Sequence, residues 1–282
     1  MMTIRAFLEQ ETRAGPNERA GPARSLQEAW ALGCHVLGWP LARLLAVRTD
    51  EPLPYEQETR WRELLIRRDR GEPQAYLLGH TEFWSLSLQV TPSVLVPRPE
   101  TEILVEQALR DHKAPAHRYM DVGTGSGAIA LALKKERPHA QVVASDKSLA
   151  ALDVARANSR ALGLPISFFA GSLLEAVGRA HFDVIVSNPP YIESADPCLD
   201  GDGLRFEPRT ALDGGKDGLS VIAALIATAP KALAPGGRLL IEHGAQQGPA
   251  TTELLRRAGF QEVCTHADYA GHLRVSEGVL YG

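Results

Sequence analysis

Apolar residues recur at helical spacing through the first part of the chain. Leu26, Ala29, Trp30, Gly33, Val36 and Leu37 share a face, followed by Leu41, Leu44 and Leu45, then Trp61, Leu64, Leu65 and Arg68. This pattern predicts a small all-helical domain over residues 1–78. Gly15, Pro16, Gly21 and Pro22 break it between Ala14 and Pro22. The period then falls to two. Trp84, Leu86, Leu88 and Val90 alternate with Ser85, Ser87 and Gln89, which predicts a half-buried strand. Thr91-Pro92-Ser93 turns that strand and Val94-Leu95-Val96 is its expected return, so residues 79–97 are read as a β-hairpin connector.

Beyond it, over residues 98–282, strand and helix patterns alternate. Strands are expected near 118–122, 141–145, 166–169, 182–187 and 237–242, and further ones near 261–265 and 273–280. Helices are expected at 100–111, 127–136, 148–162, 218–233 and 247–258. Such alternation implies an α/β domain with a mainly parallel sheet covered on both faces.

The 282 residues are 44% hydrophobic and 23% charged, ordinary for a soluble globular chain. The formal net charge of -4 argues against binding driven by a polyanionic backbone. Residues 1–80 hold 11 Arg against 11 Asp plus Glu, so they form no basic arm. Cys34, Cys198 and Cys264 lie far apart without metal-ligand spacing, and the nine histidines show none either, so no metal is expected. The odd cysteine count suits a reducing cytoplasm. No apolar run is long enough to span a membrane, and Glu9, Glu11 and Glu18 speak against a transit peptide.

Two segments carry candidate chemistry. Asp121-Val122-Gly123-Thr124-Gly125-Ser126-Gly127 lies between an expected strand and an expected helix. Its glycines permit a tight turn and close approach of a ligand to the backbone. The next strand ends at Asp146, where a carboxylate can hold a ribose hydroxyl pair or cap the following helix. The second segment is Asn188-Pro189-Pro190-Tyr191, after the apolar run Phe182 to Ser187. Two prolines cannot continue a ladder, so the strand stops with Asn188 at its carboxyl end, where open α/β sheets bind ligands. The Asn188 amide oxygen, the Pro189 carbonyl and the Tyr191 ring suit a planar guest bearing an NH2 group.

The first pattern resembles motif I of the S-adenosylmethionine-dependent methyltransferases. The second resembles the signature of amino methyltransferases acting on planar nitrogens. Further segments are similar to the bacterial release factor glutamine methyltransferases: Gly71 to Gly79, Val96 to Glu102, Arg205 to Leu212, and Glu242-His243-Gly244. This resemblance covers the chain from about Gly71 to its end. It implies a Rossmann-like domain with seven strands, the last antiparallel. It also implies that S-adenosylmethionine is the methyl donor and that class I peptide chain release factors are the protein substrate. The methylated atom would be the side-chain amide nitrogen (N5) of the glutamine in their Gly-Gly-Gln loop. Asp121, Gly123, Thr124, Gly125, Ser126, Gly127, Asp146 and Asn188 would hold the cofactor, and Ser172 and Leu173 would flank its adenine. Relatives usually carry an acid and often an aromatic at those last two positions. Asn188, Pro189, Pro190 and Tyr191 would hold the substrate amide, with Asn188, Pro189 and Tyr191 catalytic and the Tyr191 ring stacked on the amide plane. The helical domain would recognise the protein substrate.

Several readings stay open. Pro97 to Glu102 either caps a helix or helps close the cofactor pocket. Glu193 to Asp217 is long enough to be a mobile, substrate-contacting flap. His243 is more in keeping with a satisfied core histidine than with an acid–base role. A ribosomal protein glutamine methyltransferase would share both motifs. An adenine-N6 methyltransferase would share the tetrapeptide but calls for a basic groove. A non-catalytic binding protein could keep the nucleoside fold alone.

Overall fold

A computed structural model describes residues 2–13, 25–110, 118–177 and 181–281. The expected break between Ala14 and Pro22 and the last residue of the 100–111 helix lie outside the described residues. The chain divides into two units. One is Met1–Gly79 with Asp200–Phe206, and the other is His80–Leu199 with Glu207–Gly282.

The smaller unit is helical: α1 (Ile4–Arg13), α2 (Leu26–Leu37), α3 (Leu41–Leu45), α4 (Tyr55–Asp69) and α5 (Gln74–Leu78). A reciprocal capping box starts α2, with Ser25 N–H donating to Glu28 at 2.7 Å and Glu28 N–H donating to Ser25 Oγ at 3.2 Å. Trp61 centres the core, its indole N–H donating to the Ala29 carbonyl at 3.2 Å. Gly33 is required where the ring crosses α2, because a Cβ there would lie 2.2 Å from it. Within the same unit, Arg205 donates to the Arg70 carbonyl and pairs with Asp202.

The larger unit opens with a hairpin, β1 (His80–Phe83) and β2 (Leu86–Gln89). The expected partner of the second strand was 94–96. The structure pairs it instead with the segment before it. Trp84 and Ser85 both take positive φ (52 and 53), the mirror-image turn that suits a two-residue hairpin. Val94 and Val96 are buried without forming a strand, since the Val96 N–H donates to the Glu207 carboxylate at 2.9 Å.

The remaining elements are α6 (Glu102–Leu109), β3 (Arg118–Val122), α7 (Ala128–Glu136), β4 (Gln141–Asp146), α8 (Leu149–Leu162), β5 (Ser167–Ala170), β6 (Phe182–Ser187), α9 (Ser220–Thr228), β7 (Leu233–Glu242), α10 (Gly248–Arg257), β8 (Gln261–Ala267) and β9 (Leu273–Leu280). The seven-stranded sheet has the order β5-β4-β3-β6-β7-β9-β8. Strands β3 to β7 pair in parallel, and β9 lies antiparallel between β7 and β8. The inner strands are buried on both faces, so neighbouring side chains enter opposite layers. Tyr119, Val184 and Leu240 join one layer with α6, α7 and the hairpin, while Met120, Ile185 and Leu239 join the other with α9.

Helix α9 stops five residues short of its expected end. Pro230 cannot continue it, and a short 3-10 turn, Ala229–Lys231, leads into β7. Strand β7 starts earlier than expected and shifts register against β6 between Phe182 and Val184. Among the described residues no helix is long and apolar enough to cross a membrane.

Candidate active site

After β3 the chain runs outward to β4 and β5, then returns to place β6 on the other side of β3. The crevice at such a reversal is where open α/β sheets bind ligands. A cavity of about 320 Å3 opens there, within the larger unit. Val122, Asp146 and Ser187 line it from the ends of β3, β4 and β6.

The Gly123 and Thr124 N–H groups both donate to the Ser145 carbonyl at 2.9 Å, folding the turn over the end of β4. Gly123, Thr124, Gly125 and Ser126 line the cavity. Gly123 and Gly125 have φ of 74 and 56, and nothing stands within 4 Å of where their Cβ atoms would be. That leaves bare backbone facing open space. Gly127 lies behind the wall, at the start of α7, where a Cβ would crowd Leu131 and Ala155.

Asp121 is also behind the wall, at 0% exposure. Its Oδ2 accepts the Thr124 hydroxyl at 2.7 Å and the Ala130 N–H at 3.2 Å, while Oδ1 has no partner. Burial pushes this carboxyl up to about 7, against the Thr124 and Ala130 hydrogen bonds. Asp146 does not cap α8. Ser148 does, accepting the Ala151 N–H at 3.2 Å. The Asp146 carboxylate accepts from Gly125 N–H at 2.9 Å and Ser148 N–H at 2.8 Å, and it stands in the cavity wall. Each oxygen keeps a lone pair for a ligand hydroxyl. Ser172 and Leu173 line the wall beside it, Leu173 with a φ of 50.

Asn188, Pro189 and Pro190 form the opposite wall. The Asn188 Nδ2 donates to the Thr101 hydroxyl at 3.1 Å. Tyr191 is not brought to the cavity. Its ring packs into the layer of α9, and its hydroxyl is pushed up to about 12 by burial, with the Glu242 charge adding to it. The turn after Pro190 is locked from outside. Tyr191 carbonyl accepts Gln247 Nε2 at 3.0 Å, and the backbone at Gly218 approaches so closely that a Cβ there would lie 2.3 Å from that carbonyl oxygen.

The stretch from Glu193 to Asp217, expected to be a mobile flap, is folded. It carries short 3-10 turns at Pro197–Asp200, Leu204–Phe206 and Arg209–Ala211. Its buried Glu207 pairs with Arg98 as well as accepting from Val96. Pro97, Arg98 and Thr101 from one segment and Pro208, Thr210 and Ala211 from the other line the cavity.

Residues 99–198 match the model of the Methyltransferase small domain, and residues 18–79 that of the PrmC N-terminal domain. Among solved structures, a methyltransferase from Pyrococcus furiosus is similar with a TM-score of 0.54 at 21% identity, over 70% of this chain and 90% of that one. That likeness bears on the fold. The release factor glutamine methyltransferase of Bordetella pertussis is 47% identical over 93% of this chain and 97% of that protein. The chain belongs to the release factor glutamine methyltransferase family. Its counterpart in Burkholderia pseudomallei is 46% identical over 94% of this chain and 95% of that protein.

In this family member, site residues escaped the reading of motifs. Thr101 stands in the Pro97–Glu102 segment, which the sequence leaves between a helix cap and a pocket wall, and its bond to Asn188 has no local signal. Gly218, in the glycine-rich run before α9, and Gln247, just before α10, fix the Tyr191 carbonyl without a local signal of that role. His243 is a core residue: Nε2 meets Ser276 Oγ at 2.8 Å, Nδ1 meets the Gly244 carbonyl at 2.9 Å, and burial lowers its pKa. Cys264, His266 and Glu277 gather away from the cavity, but Glu277 already holds Arg238 at 2.7 Å, so its charge is met.

Proposed function

We propose that this chain transfers a methyl group from S-adenosylmethionine to the side-chain amide nitrogen of the glutamine in the Gly-Gly-Gln loop of class I peptide chain release factors, in the cytoplasm. The observation that carries the reading is the Asn188–Pro189 wall. Asn188 directs its nitrogen away to Thr101, and neither its Oδ1 nor the Pro189 carbonyl has a hydrogen-bond partner among the described residues. Two free acceptors side by side match the two hydrogens of a primary amide. The three cysteines are free, in keeping with a reducing compartment. We assign substrate selection to the helical unit.

The donor's chemistry fits the residues present. It supplies an electrophilic methyl group on a positively charged sulfur. Gly123 to Ser126 offer bare backbone, Asp146 offers carboxylate lone pairs, and Asp121 keeps an unpartnered oxygen beneath the turn. Ser172 and Leu173 offer a small polar group and an apolar edge for the adenine.

An amide nitrogen is a poor nucleophile because its lone pair is delocalised into the carbonyl. Its proton is too weakly acidic to be removed first. Asn188 and Pro189 act instead by position: each accepts one N–H and holds the nitrogen in line. As the nitrogen becomes tetrahedral and positive, both hydrogen bonds strengthen, and that difference lowers the barrier. Water then takes the released proton.

The test is incubation with labelled S-adenosylmethionine and purified release factors, with mass mapping of the product. Label on the glutamine of the Gly-Gly-Gln loop is the expected result; label on a ribosomal protein or on adenine instead would replace the substrate assignment. Calorimetry checks the cofactor pocket separately. Asp146→Ala is expected to weaken S-adenosylmethionine binding by about 1–3 kcal/mol, the cost of a lost charged hydrogen bond.

A further inference from the structure

Glu242 ends β7 immediately behind Asn188. It is 1% exposed, and its Oε2 has no hydrogen-bond partner. Ser187 pairs with Ile241 in the parallel register of β6 and β7, so Asn188 and Glu242 follow side by side, and Thr101 and Asn188 both act to hold the Glu242 carboxyl down. Thr101 is itself buried and accepts from Asn188 Nδ2 at 3.1 Å. The mechanism above gives this buried acid nothing to do.

We infer that Glu242 is a positioning residue: through Thr101 and directly, its carboxylate dictates which end of the Asn188 amide faces the substrate. Donors and acceptors decide the orientation, given the proposed role of Asn188 in receiving the substrate amide. An amide can be turned over with little change of shape, which would present NH2 instead of oxygen. A carboxylate only accepts. It therefore draws the Thr101 O–H toward itself, which leaves the Thr101 oxygen to accept from Asn188. One Nδ2 hydrogen then goes to Thr101 and the other is left to the neighbouring Glu242 carboxylate, so Oδ1 must face the cavity. A neutral group in place of the carboxylate removes this rule. A protonated or amidated Glu242 can donate to Thr101, whose hydroxyl then donates to Asn188. Asn188 answers by turning its oxygen inward and its NH2 outward, against the hydrogens of the substrate amide.

The setting lets this happen near neutrality. Burial pushes the Glu242 carboxyl up to about 7, and Glu100 adds to the rise. The Thr101 hydrogen bond, Arg274 and the Asn188 amide work against it. Tyr191 faces the same carboxylate, with its phenol neutral, and His243 follows it with a ring that burial also keeps neutral. The working form is the ionised one, so methyl transfer falls as pH drops through about 7.

Two measurements test the assignment. The first needs no substrate. In the full chain, the side-chain NH2 resonance of Asn188, identified by its loss in Asn188→Ala, is expected to titrate with a midpoint near 7. In Glu242→Gln it is expected not to titrate. Absence of titration in the parent chain overturns the inference, whether or not the chain methylates release factors. The second is single-turnover methyl transfer as a function of pH. Glu242→Gln is expected to lose roughly 10²-fold, as for a lost preorganised hydrogen bond, to lose the acid limb of the profile, and to keep its calorimetric affinity for release factor. Thr101→Val should resemble it, while Thr101→Ser, which keeps the hydroxyl, should lie much nearer the parent. The Thr101 pair carries the test if Glu242→Gln does not fold. A rate for Glu242→Gln within threefold of the parent, or equal losses for Thr101→Val and Thr101→Ser, overturns the inference.

Discussion

Asn188→Ala is expected to lower the single-turnover methylation rate by roughly 10²–10³, the usual loss when one preorganised acceptor disappears from a transition state. Cofactor and release factor both saturate in this assay, so the effect isolates the chemical step. Binding of release factor survives, because Asn188 gains most of its strength only as the amide nitrogen turns positive. Asn188→Asp separates shape from charge. It keeps an acceptor toward the cavity but loses the Nδ2 donor to Thr101. It also sets a second carboxylate beside Glu242 and adds negative charge near the sulfonium, which favours the charged ground state. That variant is therefore also expected to be impaired. A near-parent rate for Asn188→Ala would overturn the mechanism while leaving the family intact.

The largest stability effect is expected at Arg238. This side chain is 5% exposed on β7, and its partner Glu277 on β9 is 4% exposed, with 2.7 Å between them. Arg238 also donates to the carbonyls of Gln107 and Arg110 at 2.9 and 2.8 Å, where α6 ends. A cation at a helix C-terminus satisfies carbonyls that lack partners within the helix. Arg238→Met takes from the buried Glu277 carboxylate its nearest cation, leaving His266 at 3.5 Å, and is expected to cost about 3–5 kcal/mol in denaturant unfolding at neutral pH. Burial alone would raise the Glu277 carboxyl, but His266 and Arg238 outweigh it and hold it down to about 2. A lowered carboxyl stabilises the fold fully above its unfolded value of about 4.5, and that contribution is lost as pH falls from there toward 2. The gap between parent and Arg238→Met should therefore narrow over that acid range. Adding Glu277→Leu should recover much of the loss, since a buried pair replaced whole is tolerated far better than a pair broken.

The parts of this molecule that a reader of the bare chain can find are those written locally. Strands β3 and β6 show through their apolar stretches, Tyr119-Met120 with Val122 and Val184-Ile185-Val186, because both of their faces are buried. The Gly turn and the Asn188-Pro189-Pro190 stop show because each imposes a backbone that few residues allow. What stayed hidden is tertiary. Strand β1 is mostly polar, His80-Thr81-Glu82-Phe83, and only its pairing with β2 reveals it. Thr101 meets Asn188 across 87 residues of chain, and Gln247 meets Tyr191 across 56. No periodicity carries such a distance. The fixing of Tyr191 is tertiary too: Gln247 and the Gly218 backbone meet its carbonyl, and its ring packs against the layer of α9.

The hairpin's attachment sets where the larger unit can be cut. Asn158, buried on α8, exchanges hydrogen bonds with the Gln89 backbone in both directions, at 2.7 and 3.0 Å, and donates to the Ser126 carbonyl at 2.9 Å. One amide thus fastens the Gly turn to β2. The matched methyltransferase model begins only at residue 99. A fragment trimmed to that border would strip Phe83, Leu86 and Leu88 from their layer and strand two of the three bonds of Asn158. A fragment of the larger unit that keeps these contacts accordingly starts no later than His80, well ahead of the residue at which the methyltransferase match begins.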